Sequence, residues 1–173
     1  LMAMLHKLFF NQSHSYYSSR VQDPKHMLGI VTSGGSLANI TALFVARNKS
    51  LMQQGVTKAE IQRLGAIECL RTLGYRRAVI LVSRLAHYSI RKTVGLLGLG
   101  ENNLVTIEQD ENQRINTEKL ENTIAECKKN NDFIIAVIGI AGATETGTVD
   151  PLPQMAEIAR QYNIHFHVDA AWG

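Results

Sequence analysis

The sequence predicts an α/β fold, a mainly parallel sheet flanked by helices, on three observations. Residues 78–82 and 133–140 are uninterrupted apolar runs, the pattern of short strands buried on both faces. Between such runs lie segments whose apolar residues recur at helical spacing, as right-handed parallel crossovers require. The stretches after the apolar runs are rich in Gly, Ser, Thr, His and Asp, and ligands of open α/β sheets gather beyond the carboxyl ends of strands.

The elements follow in order. An apolar run at 28–31 reads as a strand leading through Thr32-Ser33-Gly34-Gly35 into a helix over 36–47, with Leu37, Ile40, Leu43 and Phe44 on one side. A second helical stretch covers 57–73, presenting Ile61, Leu64, Ile67 and Leu70. Residues 77–83 form a buried strand, 87–97 a helix and 104–107 a short strand. Asn116 offers an N-cap to a helix carrying Leu120, Ile124 and Cys127. A strand at 133–140, a helix at 152–162 and a last strand at 164–168 complete the alternation.

Bulk properties remove several function classes. A chain of 173 residues supports one domain with a sizeable core, and 45% hydrophobic against 19% charged residues argues against disorder. The net charge of +3 is spread along the chain, without the basic stripe that nucleic-acid binding uses, so no nucleic-acid partner is expected. The apolar runs are too short to span a bilayer, and residues 1–10 lack the ordered zones of a signal peptide. No membrane partner and a cytoplasmic location are expected. Cys69 and Cys127 belong to no CxxC pair and read as reduced, buried thiols.

Four segments carry chemistry. Thr32-Ser33-Gly34-Gly35-Ser36 places two glycines and a hydroxyl before a helix, where unpaired N–H groups and the helix dipole favour an anion; it is neither a P-loop nor GxGxxG. A Gly-rich turn capped by Ser is also a common structural element. His87 follows a strand and offers an imidazole that can stack on a flat ligand or simply satisfy its surroundings. Gly142-Ala143-Thr144-Glu145-Thr146-Gly147 is a tight, hydroxyl-bearing loop after the most apolar strand, and reads first as a turn. Along the last strand, period two puts His165, His167 and Asp169 on one face. Three readings stand there: a strand-end carboxylate held by backbone amides, a partner for the cationic group of a flat cofactor, or a metal site. The metal reading wants further ligands, and Ala170-Ala171-Trp172-Gly173 supplies none. Together, an anion cradle, a stackable ring, a hydroxyl loop and a carboxylate are what pyridoxal 5′-phosphate needs for its phosphate, its ring faces and its pyridine nitrogen.

These segments resemble the group II pyridoxal-phosphate-dependent amino-acid decarboxylases, the glutamate, aspartate and aromatic amino-acid decarboxylase family of fold type I. The resemblance rests on Gly29-Ile-Val-Thr-Ser-Gly-Gly-Ser-Leu-Ala-Asn39, Ala86-His87-Tyr-Ser89, Gly142-Ala-Thr-Glu-Thr-Gly-Thr-Val-Asp-Pro151 and His167-Val-Asp-Ala-Ala-Trp-Gly173. It implies that residues 1–173 are a partial pyridoxal-phosphate-binding large domain, without the N-terminal segment and the small C-terminal domain. It implies that Gly35 and Ser36 hold the phosphate, and that His87 stacks on the ring and assists proton handling as the one catalytic residue. Thr144 would lie near the phenolic oxygen, Asp169 would hold the pyridine nitrogen, and Ala171 would lie against the opposite ring face. No metal ligand is implied. Ala143 stands where the family often has threonine. The lysine that binds the cofactor covalently is expected a few dozen residues beyond Asp169, so the 173-residue chain by itself is expected to release no CO2.

By the same resemblance, the parent enzyme is a carboxy-lyase of amino-acid metabolism that decarboxylates a small-molecule L-amino acid, with glutamate or aspartate favoured and L-2,4-diaminobutyrate the alternative. A homodimer is implied. The readings of another class are a non-catalytic pyridoxal-phosphate-binding fragment and a metal-dependent hydrolase using His165, His167 and Asp169.

Overall fold

The apolar runs form the middle of a four-stranded, all-parallel sheet in a computed structural model that describes every residue except Gln22 and Pro24. The chain divides into two compact units, Leu1–Gly34 and Gly35–Gly173.

In the first unit, α1 (Met2–Phe10) ends at Asn11, which adopts a left-handed conformation, and Ser13 caps α2 (His14–Ser18) by accepting the Tyr16 N–H. The Tyr17 hydroxyl pairs with His6 Nδ1 at 3.0 Å and accepts the Gln12 N–H at 3.3 Å. The expected strand at 28–31 is absent: these residues form no ladder among the described residues, and Ile30 and Val31 are exposed. An apolar run becomes a strand only where a neighbour takes up its backbone groups.

The second unit opens with α3 (Gly35–Gln53), six residues longer at its carboxyl end than the spacing predicts. Its buried stripe is Asn39, Leu43, Ala46, Ser50 and Leu51, while Leu37 and Phe44 are exposed. The stretch at 57–73 is two helices, α4 (Lys58–Leu64) and α5 (Ala66–Thr72), divided at Gly65, whose φ of 81° no continuous helix accepts. The break resets the helical phase, so Ile61, Ala66, Cys69 and Leu70 are buried while Leu64 and Ile67 are exposed. Thr57 and Glu60 close a capping box at the start of α4.

The alternation then proceeds through β1 (Arg77–Ser83), α6 (Tyr88–Leu96), β2 (Leu104–Ile107), α7 (Thr117–Lys129), β3 (Asp132–Ile140), α8 (Leu152–Gln161) and β4 (His165–Asp169). Asn116 caps α7 by accepting the Lys119 N–H. The strand order is β2-β1-β3-β4. Each face of the sheet has its own core. Ala78, Ile80 and Val82 pack with Leu43, Leu51, Cys69, Ile90 and Val94 on one side. Val79 and Leu81 pack with Leu120, Ile124, Cys127 and Met155 on the other. Each fully buried Val, Leu, Ile or Met among these contributes about 1.5–3 kcal/mol. The register between β1 and β3 slips at Val79/Ile80, a bulge that puts Ile135 and Ala136 on the same face and resets the alternation towards Ile140. Both cysteines are free and buried, and burial pushes the Cys127 thiol up from its ordinary range. Among the described residues no helix is long and apolar enough to cross a membrane.

Candidate functional site

The carboxyl ends of β1, β3 and β4 and the start of α3 border a cavity of about 140 Å³. Gly35, Ser36, His87, Thr144, Asp169 and Ala171 all line it, so residues far apart in the sequence meet at one place.

Each arrives for a local reason. Gly35 and Ser36 open α3, where the first N–H groups have no partner within the helix. His87 is the N-cap of α6, its Nδ1 3.3 Å from the Ser89 N–H and 2.8 Å from Ser89 Oγ. The histidine therefore also has the structural role of capping the start of a helix. Thr144 sits on a turn in which Gly142 and Ala143 both donate to the Thr148 carbonyl, at 3.2 and 2.9 Å. Gly142 has φ of 85°, and a Cβ there would come within 3.1 Å of the backbone of Trp172 and Gly173. Asp150 braces this loop from below: Oδ1 accepts the Ile115 N–H at 2.8 Å and Oδ2 the Ile140 N–H at 2.9 Å. Burial pushes the Asp150 carboxyl above its ordinary range, the two N–H bonds opposing that rise. Ala143 is buried and outside the cavity lining.

On β4, Phe166 packs into the core on one face while His165, His167 and Asp169 take the other, as period two predicts. His167 and Asp169 are joined by a residue to which the sequence reading assigned no role. Asn39 of α3 faces His167 Nε2 through Oδ1 at 2.8 Å, and its Nδ2 donates to Asp169 Oδ2 at 2.9 Å and to Ser89 Oγ at 3.1 Å. Asp169 Oδ1 accepts the Ala171 N–H at 3.4 Å. Among the described residues of 35–173, no Lys, Arg or His lies within salt-bridge distance of Asp169, and no three His, Cys, Asp or Glu side chains converge as metal ligands would. Burial holds both His165 and His167 below the ordinary imidazole range, Lys49 adding to the effect at His165. Asn39 was detectable in principle, because it is a polar residue on the helix stripe shared with Leu43 and Ala46.

The chain matches the family described as "Pyridoxal-dependent decarboxylase conserved domain" over residues 2–173. It belongs to that family of pyridoxal-dependent decarboxylases. It is 40% identical over all of its length to 31% of an aspartate 1-decarboxylase of Aliivibrio fischeri. Over 84% of its length it is 29% identical to 28% of an L-2,4-diaminobutyrate decarboxylase of Acinetobacter baumannii. The crystal structure of mouse CSAD superposes with a TM-score of 0.71 at 31% identity, over 84% of this chain and 28% of that one. The chain thus spans about a third of the length of the curated relatives it matches.

The residues of this decarboxylase-family chain suit pyridoxal phosphate. Glycine at 35 lets the start of α3 come close to Ala171, since a Cβ there would stand 3.0 Å from that of Ala171. Among the described residues the Asp169 carboxylate takes only neutral donors, so it is open to a cationic group.

Proposed function

We propose that the protein to which these residues belong decarboxylates an acidic L-amino acid, aspartate or glutamate, with pyridoxal phosphate as cofactor. The observation that carries this reading is the convergence of Asp169, His87, Thr144 and the start of α3 on one cavity. Gly35 and Ser36 would hold the phosphate with the free N–H groups of the helix start and a hydroxyl. Asp169 would hold a protonated pyridine nitrogen, His87 would cover one ring face and Ala171 the other, and Thr144 would lie by the phenolic oxygen. When bound, the cofactor supplies an electron sink for the pair left at Cα as CO2 departs. The residues would exclude water from that carbon, and His87 would hold or deliver a proton near it.

The acidic substrate is supported by the Aliivibrio relative, 40% identical along the whole chain. The Acinetobacter relative at 29% favours L-2,4-diaminobutyrate as the second reading. A homodimer and a cytoplasmic location belong to the same proposal. The test is CO2 and amine release by the complete protein loaded with pyridoxal phosphate, offered aspartate, glutamate and L-2,4-diaminobutyrate in parallel. Turnover of an acidic substrate at least tenfold faster than diaminobutyrate is expected. The reverse preference overturns the substrate, and failure to take up the cofactor overturns the whole reading.

A further inference from the structure

We propose that Asn39 is a positioning residue for this site: its buried amide holds the Asp169 carboxylate and sets where protons sit on the two flanking histidines, on His167 directly and on His87 through Ser89.

The argument is a count of donors and acceptors. A carboxylate only accepts, so the Asn39 atom 2.9 Å from Asp169 Oδ2 is the amide nitrogen. That leaves the amide oxygen 2.8 Å from His167 Nε2, which must therefore carry a hydrogen. Burial keeps the His167 ring neutral, with Asp169 and His165 the titratable neighbours on its own strand and Lys49 facing His165 from α3. A neutral ring with its hydrogen on Nε2 has a bare Nδ1.

The second amide N–H of Asn39 goes to Ser89 Oγ at 3.1 Å. With that hydroxyl accepting from Asn39, its single proton is free for His87 Nδ1 at 2.8 Å, which the Ser89 N–H also addresses at 3.3 Å. Nδ1 of His87 is thus an acceptor, and the neutral ring carries its hydrogen on Nε2. His87 lines the cavity, so a fixed tautomer there determines what the ring offers a ligand. Asn39 is 3% and Ser89 1% exposed, so the Asn39 and Ser89 ends of these bonds are shielded from water. Among the described residues no buried side-chain nitrogen or oxygen is left without a partner.

Such a network gives one orientation to three groups that the sequence places far apart. It rests on the pyridoxal-phosphate reading only for what Asp169 and His87 do to the cofactor.

Nitrogen-15 NMR of histidine-labelled complete protein, without and with pyridoxal phosphate, tests it. In the wild type, Nε2 of His167 is expected protonated and Nδ1 of His87 bare; the opposite state at either ring overturns the proposal. Asn39→Leu removes every bond and is expected to abolish the fixed Nε2–H of His167 and weaken cofactor retention about tenfold. Asn39→Asp keeps an acceptor for His167 but loses the donor to Asp169, so Nε2 should stay protonated while retention still falls. If Asn39 only fills space, the two variants move together on both readouts, which overturns the proposal. Should Asn39→Leu fail to fold, Ser89→Ala serves: His87 is expected to populate its Nδ1–H tautomer while His167 is unchanged, and an unchanged His87 counts against the relay. Absence of cofactor uptake by the wild type sinks the functional reading and leaves the proton assignment standing. Wrong ring-nitrogen states in cofactor-loaded protein sink the assignment alone.

Discussion

Two carboxylates mark opposite ends of the sheet and have opposite surroundings. Asp132, at the start of β3, has a side chain 1% exposed and clamped by two guanidinium groups: Arg76 reaches both oxygens at 2.9 Å and Arg77 Nε reaches Oδ2 at 3.0 Å. Asp169, at the end of β4, meets only an amide and a backbone N–H among the described residues. The first carboxylate is neutralised by its own chain and holds β1 and β3 in place at their amino ends. The second is oriented without being neutralised. A carboxylate oriented without a cationic partner can be completed by the cationic group of a ligand.

That contrast can be broken from either end. Asp169→Asn should have the largest effect, weakening pyridoxal-phosphate binding about a hundredfold by absorbance titration, with little change in unfolding free energy. Asp132→Ala should do the reverse: a loss of about 2 kcal/mol in chemical denaturation, with cofactor affinity unchanged in the fraction that is folded. The figure sits below that for a fully buried pair because the Arg76 and Arg77 side chains are 53% and 33% exposed and can recover water.

Asp150 is a third case, a buried carboxylate whose partners are two backbone N–H groups. Asp150→Asn turns one acceptor into a donor facing an N–H and should cost about 1–2 kcal/mol by thermal or chemical unfolding. Because burial raises this carboxyl in the folded state, the native protein holds its proton more tightly than the unfolded chain. Its contribution therefore falls as pH rises from the ordinary 3.8 through the raised value, and the variant should lack that slope.

The smallest effect is expected from the histidines leading to Asp169. His165 and His167 are lowered by burial, so the unfolded chain binds protons that the folded one refuses. Stability should be fully present above the ordinary 6.5 and fall as pH drops below it, as read by denaturation midpoints across pH 5–8. A midpoint that rises on acidification over that range contradicts the buried, neutral row.

Much of this was legible in sequence, because it depends on local period and composition. The bounds of β1 and β2, the Asn116 cap and the shared face of His165, His167 and Asp169 follow from alternation and capping chemistry alone. The errors have a common cause. The run at 28–31 is apolar without a strand partner among the described residues, 57–73 is helical on both sides of a glycine with positive φ, and α3 buries Asn39 where Leu37 and Phe44 were expected. In each case a neighbour or a single dihedral overrode a correct local preference.

The alternation of buried strands and amphipathic helices, and with it the gathering of chemistry at the carboxyl ends, is written in local periodicity. Periodicity and end chemistry act over a few residues and need no partner to be read. Only the tertiary structure decided that Asn39, 50 residues from Ser89 and 130 from Asp169, joins them in one buried network. Hydrogen bonds between elements are set by how helices lie on the sheet, and no spacing along the chain encodes that distance. The same packing decided that Asp132 meets two arginines while Asp169, among the described residues, meets only neutral donors.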